Sequence, residues 1–186
     1  MRPTEILMAE HRVIERVLAT MQAALQRSAA QERLRPGFFL DAVEFIQGYA
    51  DDYHHQKEEG ILFTEMEAQG FPKEGGPIVV MLAEHEQARA YTRAMQAAAQ
   101  RWDGGDATAQ TEVTLNAQAY VSLLGDHIYK EDNILYPMAD QLLSPEDQER
   151  MADTFREMER TATDSGALGR LLSLVDALER EIPISA

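Results

Sequence analysis

Apolar residues recur in four long stretches of the chain at alternating intervals of three and four residues. That spacing places them on one face of an α-helix. It predicts four long helices, at about residues 4–28, 37–69, 77–102 and 108–139. Proline and glycine lie in the short segments between these stretches, which favours antiparallel neighbours. We therefore expect an all-α protein whose residues 1–140 form an up-down-up-down four-helix bundle.

The helical pattern continues after the bundle. The segment from Ser144 to Asp147 offers an N-cap serine, a proline at the first helical position and two acidic residues, so a fifth helix is expected over about 145–162. A sixth amphipathic stripe follows, formed by Leu168, Leu171, Leu172, Val175 and Leu178. We expect residues 141–186 to form an extension of one or two helices that packs on the bundle or on a partner.

Polar residues interrupt the apolar face of every predicted bundle helix. Each of the four carries one histidine there, and the second and fourth add a glutamate one turn later; the six residues are His11, His54, Glu58, His85, His127 and Glu131. The arrangement is duplicated, because Ala-Glu-His at 9–11 recurs at 83–85 and His-x-x-x-Glu-x-x-Ile-Leu-aromatic at 54–63 recurs at 127–136. Two such hairpins packed about a pseudo-twofold axis would bring four histidines and two glutamates together at the bundle centre.

A buried cluster of this composition indicates a metal site. Residues four apart lie one above the other on a helix, so each His-Glu pair can converge on one centre. Two carboxylates buried without partners would cost several kcal/mol each, and cations remove that cost. Imidazole and carboxylate suit iron, manganese or zinc. Two bridging glutamates and two histidines per ion leave coordination positions open for water, an oxo group, O₂ or peroxide. The alternative is a metal-free bundle with buried His-Glu hydrogen bonds.

Other polar and aromatic residues lie close to these six in the sequence. On a regular α-helix neighbouring residues are about 100° apart, so a residue next to an inward histidine points elsewhere. We expect water to surround His55, Lys57 and Glu59, and surface positions for Glu10, Glu84 and Glu86. Aromatic packing is the expected role of Tyr53, Tyr129 and Tyr136, and gating of the pocket by one of them is the alternative.

The duplicated motif resembles the hemerythrin-like (HHE cation-binding) family over about residues 5–140. The resemblance rests on Ala-Glu-His in the first and third helices, and on His-x-x-x-Glu with its Ile-Leu-aromatic triplet in the second and fourth. It implies a non-haem di-iron centre with bridging carboxylates and an oxo or hydroxo bridge. The ligands that it implies are His11, His54 and Glu58 from the first half, and His85, His127 and Glu131 from the second.

One departure from the family pattern bears on function. Oxygen-carrying hemerythrins use five terminal histidines, two of them in a His-x-x-x-His pair on one helix. Here Arg89 stands four residues after His85, so a fifth histidine is not expected. The set of four histidines and two glutamates looks more like the bacterial branch that acts in iron-centre repair and nitric-oxide stress.

Charge and composition exclude several classes of partner. The net charge of −15 and the pI near 4.6 argue against nucleic acid and against anionic membrane surfaces. The absence of cysteine excludes disulfides and thiolate metal sites. Because the chain has neither a long apolar run nor a signal-peptide pattern, we expect a cytoplasmic protein.

These observations favour a di-iron protein that binds or reduces a small oxidant (O₂, peroxide or nitric oxide) in iron, oxidative or nitrosative stress. Whether it turns over as an enzyme is left open, and no catalytic residue beyond the metal ligands is predicted. One alternative is a structural zinc or manganese bundle that serves a protein partner or a second copy through its C-terminal helices. Another is a ferritin-like di-metal oxidase, although such bundles use Glu-x-x-His and more carboxylates.

Overall fold

Six helices make up the computed structural model, which describes residues 1–30, 32, 34–72 and 74–183. They are α1 (Pro3–Ala29), α2 (36–68), α3 (Pro77–Asp103), α4 (109–142), α5 (Pro145–Asp164) and α6 (Ala167–Glu181). No strand occurs in these ranges, so the prediction of an all-α fold is confirmed. None of the six helices combines the length and apolarity needed to cross a membrane.

The first four helices form the bundle, with α1 against α2 and α4, and α3 against α2 and α4. Proline occupies the first turn of α1, α2, α3 and α5, where its missing N–H leaves no helical hydrogen bond unmade. Ser144 caps α5 by accepting a hydrogen bond from the backbone N–H of Asp147 at 3.1 Å. The helix start predicted from the sequence at this point is confirmed.

Both α2 and α4 contain stretches of wide π-helical turn. In α2 these are Ile46–His55 and Glu58–Leu62, and in α4 the stretch is Glu131–Leu135. A π-helix bonds each N–H five residues back, so successive residues turn through a smaller angle than in an α-helix. The two helices occur where the apolar spacing predicts them, but they are not regular α-helices throughout. The wider turns change which side chains face inward.

Two apolar clusters fill the interior of the bundle and are separated along its axis. The larger includes Ile14, Phe38, Phe45, Tyr49, Tyr120 and Leu124. The smaller includes Leu7, Leu62, Met66, Ile78, Met81 and Leu135. On each helix the buried histidine falls between a residue of one cluster and a residue of the other, as His11 does between Leu7 and Ile14. The polar residues therefore form a layer across the bundle between two apolar cores.

The C-terminal helices cover the α1–α2 side of the bundle. Leu171, Val175 and Leu178 of α6 belong to the larger apolar cluster, and Phe155 of α5 belongs to the smaller one. Between α5 and α6 the chain turns at Gly166, whose φ of 76° is in the left-handed region that favours glycine. The apolar stripe predicted after residue 167 is thus buried against the chain's own bundle.

Candidate metal centre

The six residues singled out from the sequence lie together in the polar layer. Each is at most 1% exposed, which for histidine and glutamate requires strong local partners. Each helix of the bundle supplies at least one of them; the set is His11, His54, Glu58, His85, His127 and Glu131. Their donor atoms form two groups.

The first group consists of His11, His54, Glu58 and Glu131, whose donor atoms all lie within 4.8 Å of one another. Nε2 of His11 is 3.3 Å from Oε2 of Glu131. Nε2 of His54 is 3.7 Å from Oε2 of Glu58. Two imidazole nitrogens and two carboxylates therefore face one small volume.

The second group consists of His55, His85 and His127, again with donor atoms within 4.8 Å of one another. Nε2 of His85 lies 2.9 Å from Nε2 of His127, and the ring of His55 stacks on that of His85 at a centroid distance of 3.8 Å. Oxygens of both glutamates reach this group too: Oε1 of Glu131 is 3.2 Å from Nε2 of His127, and Oε2 of Glu58 is 3.6 Å from Nε2 of His85. The two glutamates thus lie between the two groups of histidines.

The inward position of His55 corrects the expectation that this side chain faces water. It is 2% exposed. His54 and His55 close the π-helical stretch Ile46–His55, where the smaller angle between neighbours lets both side chains reach the interior. The duplicated sequence contained a signal, because His55 aligns with Ile128, an apolar residue that is 3% exposed in the second half.

A carboxylate binds the outer nitrogen of every one of the five histidines. Each Nδ1 lies 2.7 to 3.1 Å from its acceptor, and the pairs are His11–Asp132, His54–Glu10, His55–Asp51, His85–Glu59 and His127–Glu84. With a proton on Nδ1, each ring turns its Nε2 lone pair towards the centre, as metal-binding imidazoles do. The expectation of surface charges at Glu10 and Glu84 was therefore wrong, since both orient a histidine.

Cations pair with all five of these outer carboxylates, and Nε of Arg89 lies 3.7 Å from Oδ1 of Asp51. Lys57 donates to Glu10 and Lys130 to Glu84, while Arg12 donates to Asp132 and Arg89 to Glu59. Contrary to the expectation from the sequence, Lys57 is fully buried, with its Nζ 3.3 Å from the centroid of the Tyr53 ring. Each of these cation–carboxylate pairs joins two different helices, so no pattern along one helix indicates the pairs.

Burial and charge set the protonation of the site. Burial lowers the pKa of His55 to about 3 and that of His85 to about 4, which keeps both imidazoles neutral. Burial also lowers the pKa of His11, but the hydrogen bond to Asp132 and the nearby carboxylate of Glu131 outweigh it and raise the value to about 8.

The two glutamates differ in protonation. Burial and the negative charge of Glu131 raise the pKa of Glu58 well above its ordinary value. Burial acts in the same direction on Glu131, yet His127 and His11 outweigh it and hold the pKa of Glu131 well below the ordinary value. The imidazoles therefore stabilise the anionic form of Glu131 more than that of Glu58.

Four inward donor atoms have no hydrogen-bond partner among the described residues. They are Nε2 of His54, Oε2 of Glu58 and both carboxylate oxygens of Glu131. Buried polar atoms are nearly always paired, and an unpaired buried carboxylate is costly. A cation between these atoms would supply the missing interaction, and a set of imidazoles and carboxylates suits iron, manganese or zinc. The residues of the polar layer could therefore hold metal.

Comparison with known proteins agrees with this reading of the site. The family description "Hemerythrin HHE cation binding domain" matches residues 2–139. An uncharacterized protein of Mycobacterium tuberculosis and one of Mycobacterium bovis are each 24% identical to this chain over 180 residues, which is 97% of this chain and 70% of the relative. None of the solved structures gives a match.

Proposed function

Because the chain belongs to the hemerythrin HHE cation-binding domain family, we propose that its buried polar layer holds two iron ions and binds or reduces a small oxidant. In this proposal His11 and His54 serve one ion. His55, His85 and His127 serve the other, and Glu58 and Glu131 are shared between the two. The unpartnered inward oxygens of the two glutamates are the observation that carries the proposal.

The unequal number of histidines at the two positions supports binding of a small molecule. The position at His11 and His54 has two imidazole donors, while the other has three. Iron supplies reversible changes of oxidation state together with a preference for more ligands than the first position receives from the chain. Because the donor residues are buried inside the bundle, a small molecule such as O₂, peroxide or nitric oxide suits the site better than a large substrate.

His55 also bears on the choice of branch within the family. The resemblance to the iron-centre-repair and nitric-oxide-stress branch rested on the absence of a fifth histidine, and His55 now stands within the three-histidine group. The binding test therefore identifies the oxidant, and the oxidant in turn distinguishes a role in oxidative stress from one in nitrosative stress.

The experiment is anaerobic loading with ferrous iron, followed by elemental analysis and absorption spectra before and after O₂, peroxide and nitric oxide. We expect about two iron ions per chain, near-UV absorption from an oxo-to-iron transition after oxidation, and a spectral change with at least one oxidant. A His54→Ala variant should hold less iron, whereas Glu86→Gln, which alters a carboxylate that is 68% exposed, should not.

Other outcomes would favour other functions. Less than about one iron per chain, with no near-UV absorption, contradicts the proposal. Protein that carries zinc or manganese from unsupplemented cells and does not respond to oxidants would favour a structural bundle serving a protein partner. Turnover of an organic substrate would favour a ferritin-like oxidase, against which five imidazoles and only two carboxylates argue.

A further inference from the structure

Tyr136 and Phe63 occupy equivalent positions in the two halves of the site. Both follow the Ile-Leu pair of the duplicated motif, and both are at most 2% exposed. The rings of Phe63 and His85 are stacked with their centroids 6.2 Å apart, and the rings of Tyr136 and His11 are stacked with their centroids 5.5 Å apart. The aromatic ring is therefore common to both halves, and the hydroxyl of Tyr136 distinguishes them.

That hydroxyl hydrogen-bonds one oxygen of Glu58. Tyr136 Oη donates to Oε1 of Glu58 at 2.5 Å and lies 3.3 Å from Nε2 of His11. The second oxygen, Oε2, faces both groups of histidines, at 3.7 Å from Nε2 of His54 and 3.6 Å from Nε2 of His85. Only one oxygen of Glu58 is thus left without a partner among the described residues.

Glu131 is arranged differently. Its Oε2 is 3.3 Å from Nε2 of His11, and its Oε1 is 3.2 Å from Nε2 of His127. Neither oxygen has a hydrogen-bond partner among the described residues. Glu131 therefore offers one oxygen to each group, whereas Glu58 offers a single oxygen to both.

We propose that Tyr136 is a positioning residue that holds Oε1 of Glu58 away from the metal position at His11 and His54, and so keeps that position open for a small ligand. The inference rests on the proposed function. A phenol that donates to a carboxylate oxygen forms a strong charge-assisted hydrogen bond and lowers the tendency of that oxygen to bind a cation. Without the hydroxyl, Oε1 is free to take the coordination position that a small ligand would use.

The test compares azide binding to iron-loaded wild type and to Tyr136→Phe. Azide is a small anion whose charge-transfer absorption with ferric iron reports binding. Phe63 already fills the equivalent place in the other half, so the variant keeps a ring known to fit. We expect its iron content and melting temperature to stay near those of wild type, and its dissociation constant for azide to rise about tenfold or more. Tyr129→Phe is the matched control, because that phenol is 65% exposed, and it should leave azide binding unchanged.

Two results would overturn the inference. Azide affinity equal to wild type at unchanged iron content would mean that the hydroxyl only satisfies a buried polar atom. Loss of iron from the folded variant would mean that Tyr136 retains metal rather than keeping a position open. The proposed function fails separately, through a wild-type protein that holds no iron or binds no azide.

Discussion

The two helical hairpins of the bundle, α1–α2 and α3–α4, contribute nearly the same chemistry to the polar layer. In the first, Lys57 binds Glu10 and Glu10 binds the Nδ1 atom of His54. In the second, the same three roles fall to Lys130, Glu84 and His127. For His54 and His127 the duplication therefore covers the supporting carboxylate and lysine as well as the histidine.

Within the polar layer the hairpins differ at two buried positions. The first has His55 where the second has Ile128, and the second has Tyr136 where the first has Phe63. His55 adds a third histidine to one group of donors, and the Tyr136 hydroxyl lies beside the other. The duplicated residues can build a symmetric centre, and the two exceptions make its halves chemically unequal.

The hairpins also differ in what covers them. Helices α5 and α6 lie over the α1–α2 side. The ring centroid of Phe155 in α5 is 5.8 Å from the Nζ atom of Lys57. Lys57 is fully buried as a result, whereas the side chain of Lys130 is 32% exposed. The same Lys-Glu pair is thus in a low-dielectric environment in one half and partly in water in the other, and breaking it should have unequal effects.

Metal removal should have the largest effect, because both hairpins contribute ligands to the proposed metal centre. At a metal concentration one hundred times the dissociation constant, binding adds about 2.7 kcal/mol for each site, so chelation of iron from both sites should lower the melting temperature by about 10 to 20 °C. The measurement is calorimetry before and after chelation, with readdition of iron as the control. An unchanged melting temperature would mean that the metal is not part of the folded bundle.

Loss of the Lys-Glu pairs should separate the two halves. In metal-free protein, Glu10→Gln leaves Lys57 charged and fully buried, and should lower the free energy of unfolding by about 3 kcal/mol. The equivalent Glu84→Gln affects Lys130, which is one-third exposed, and should lower it by no more than about 1 kcal/mol. Urea unfolding of both variants gives the comparison. Equal losses of unfolding free energy in the two variants would contradict the conclusion that the Lys57–Glu10 pair is more deeply buried than the Lys130–Glu84 pair.

Replacement of His55 by isoleucine should make the first half match the second at this position. We expect His55→Ile to fold, since Ile128 packs at the equivalent position. The affinity for one of the two metal ions should fall by about 10- to 100-fold or more. Competition with a coloured chelator measures the two affinities. Ile128→Val serves as the control, because it changes core packing without a donor atom. Two unchanged metal affinities in His55→Ile would remove His55 from the ligand set.

The contact between α6 and α2 should give the smallest effect. A methyl group added at Gly48 would lie 2.9 Å from a terminal carbon of Leu171, so Gly48→Ala should destabilise the protein by about 1 kcal/mol. Gly60 lies in the same helix and has no atom within 4 Å of such a methyl group. Gly60→Ala should leave stability unchanged or raise it by up to about 1 kcal/mol. Thermal unfolding of the two variants is the measurement. Equal stabilities of Gly48→Ala and Gly60→Ala would contradict the close packing of α6 on α2.

Much of the fold was accessible from the sequence because the apolar stripes are long and regular. The first helix was predicted at about residues 4–28 and lies at Pro3–Ala29, and the fifth began at Pro145 as its capping residues indicated. Four histidines and two glutamates in apolar stripes also identified six side chains that the structure brings together. Burial of His11 or Glu131 follows directly from its place in a stripe, since the stripe is the face that packs.

Two features could not be predicted from helical periodicity. The periodicity assumes a constant angle between residues, and the π-helical turns of α2 break that assumption at His55 and Lys57. The roles of Glu10 and Glu84 depend on histidines of neighbouring helices, so they become visible only when the helices are packed. The duplicated motif does carry one sign of the inward position of His55, because the equivalent residue in the second half is the apolar Ile128.

The most direct test of a two-metal centre is a crystal structure of iron-loaded protein with anomalous scattering recorded at the iron edge. The account predicts two iron peaks between Glu58 and Glu131. One should be bound by Nε2 of His11 and His54, and the other by His55, His85 and His127. A single peak, or a His55 side chain that points away from both irons, would contradict it.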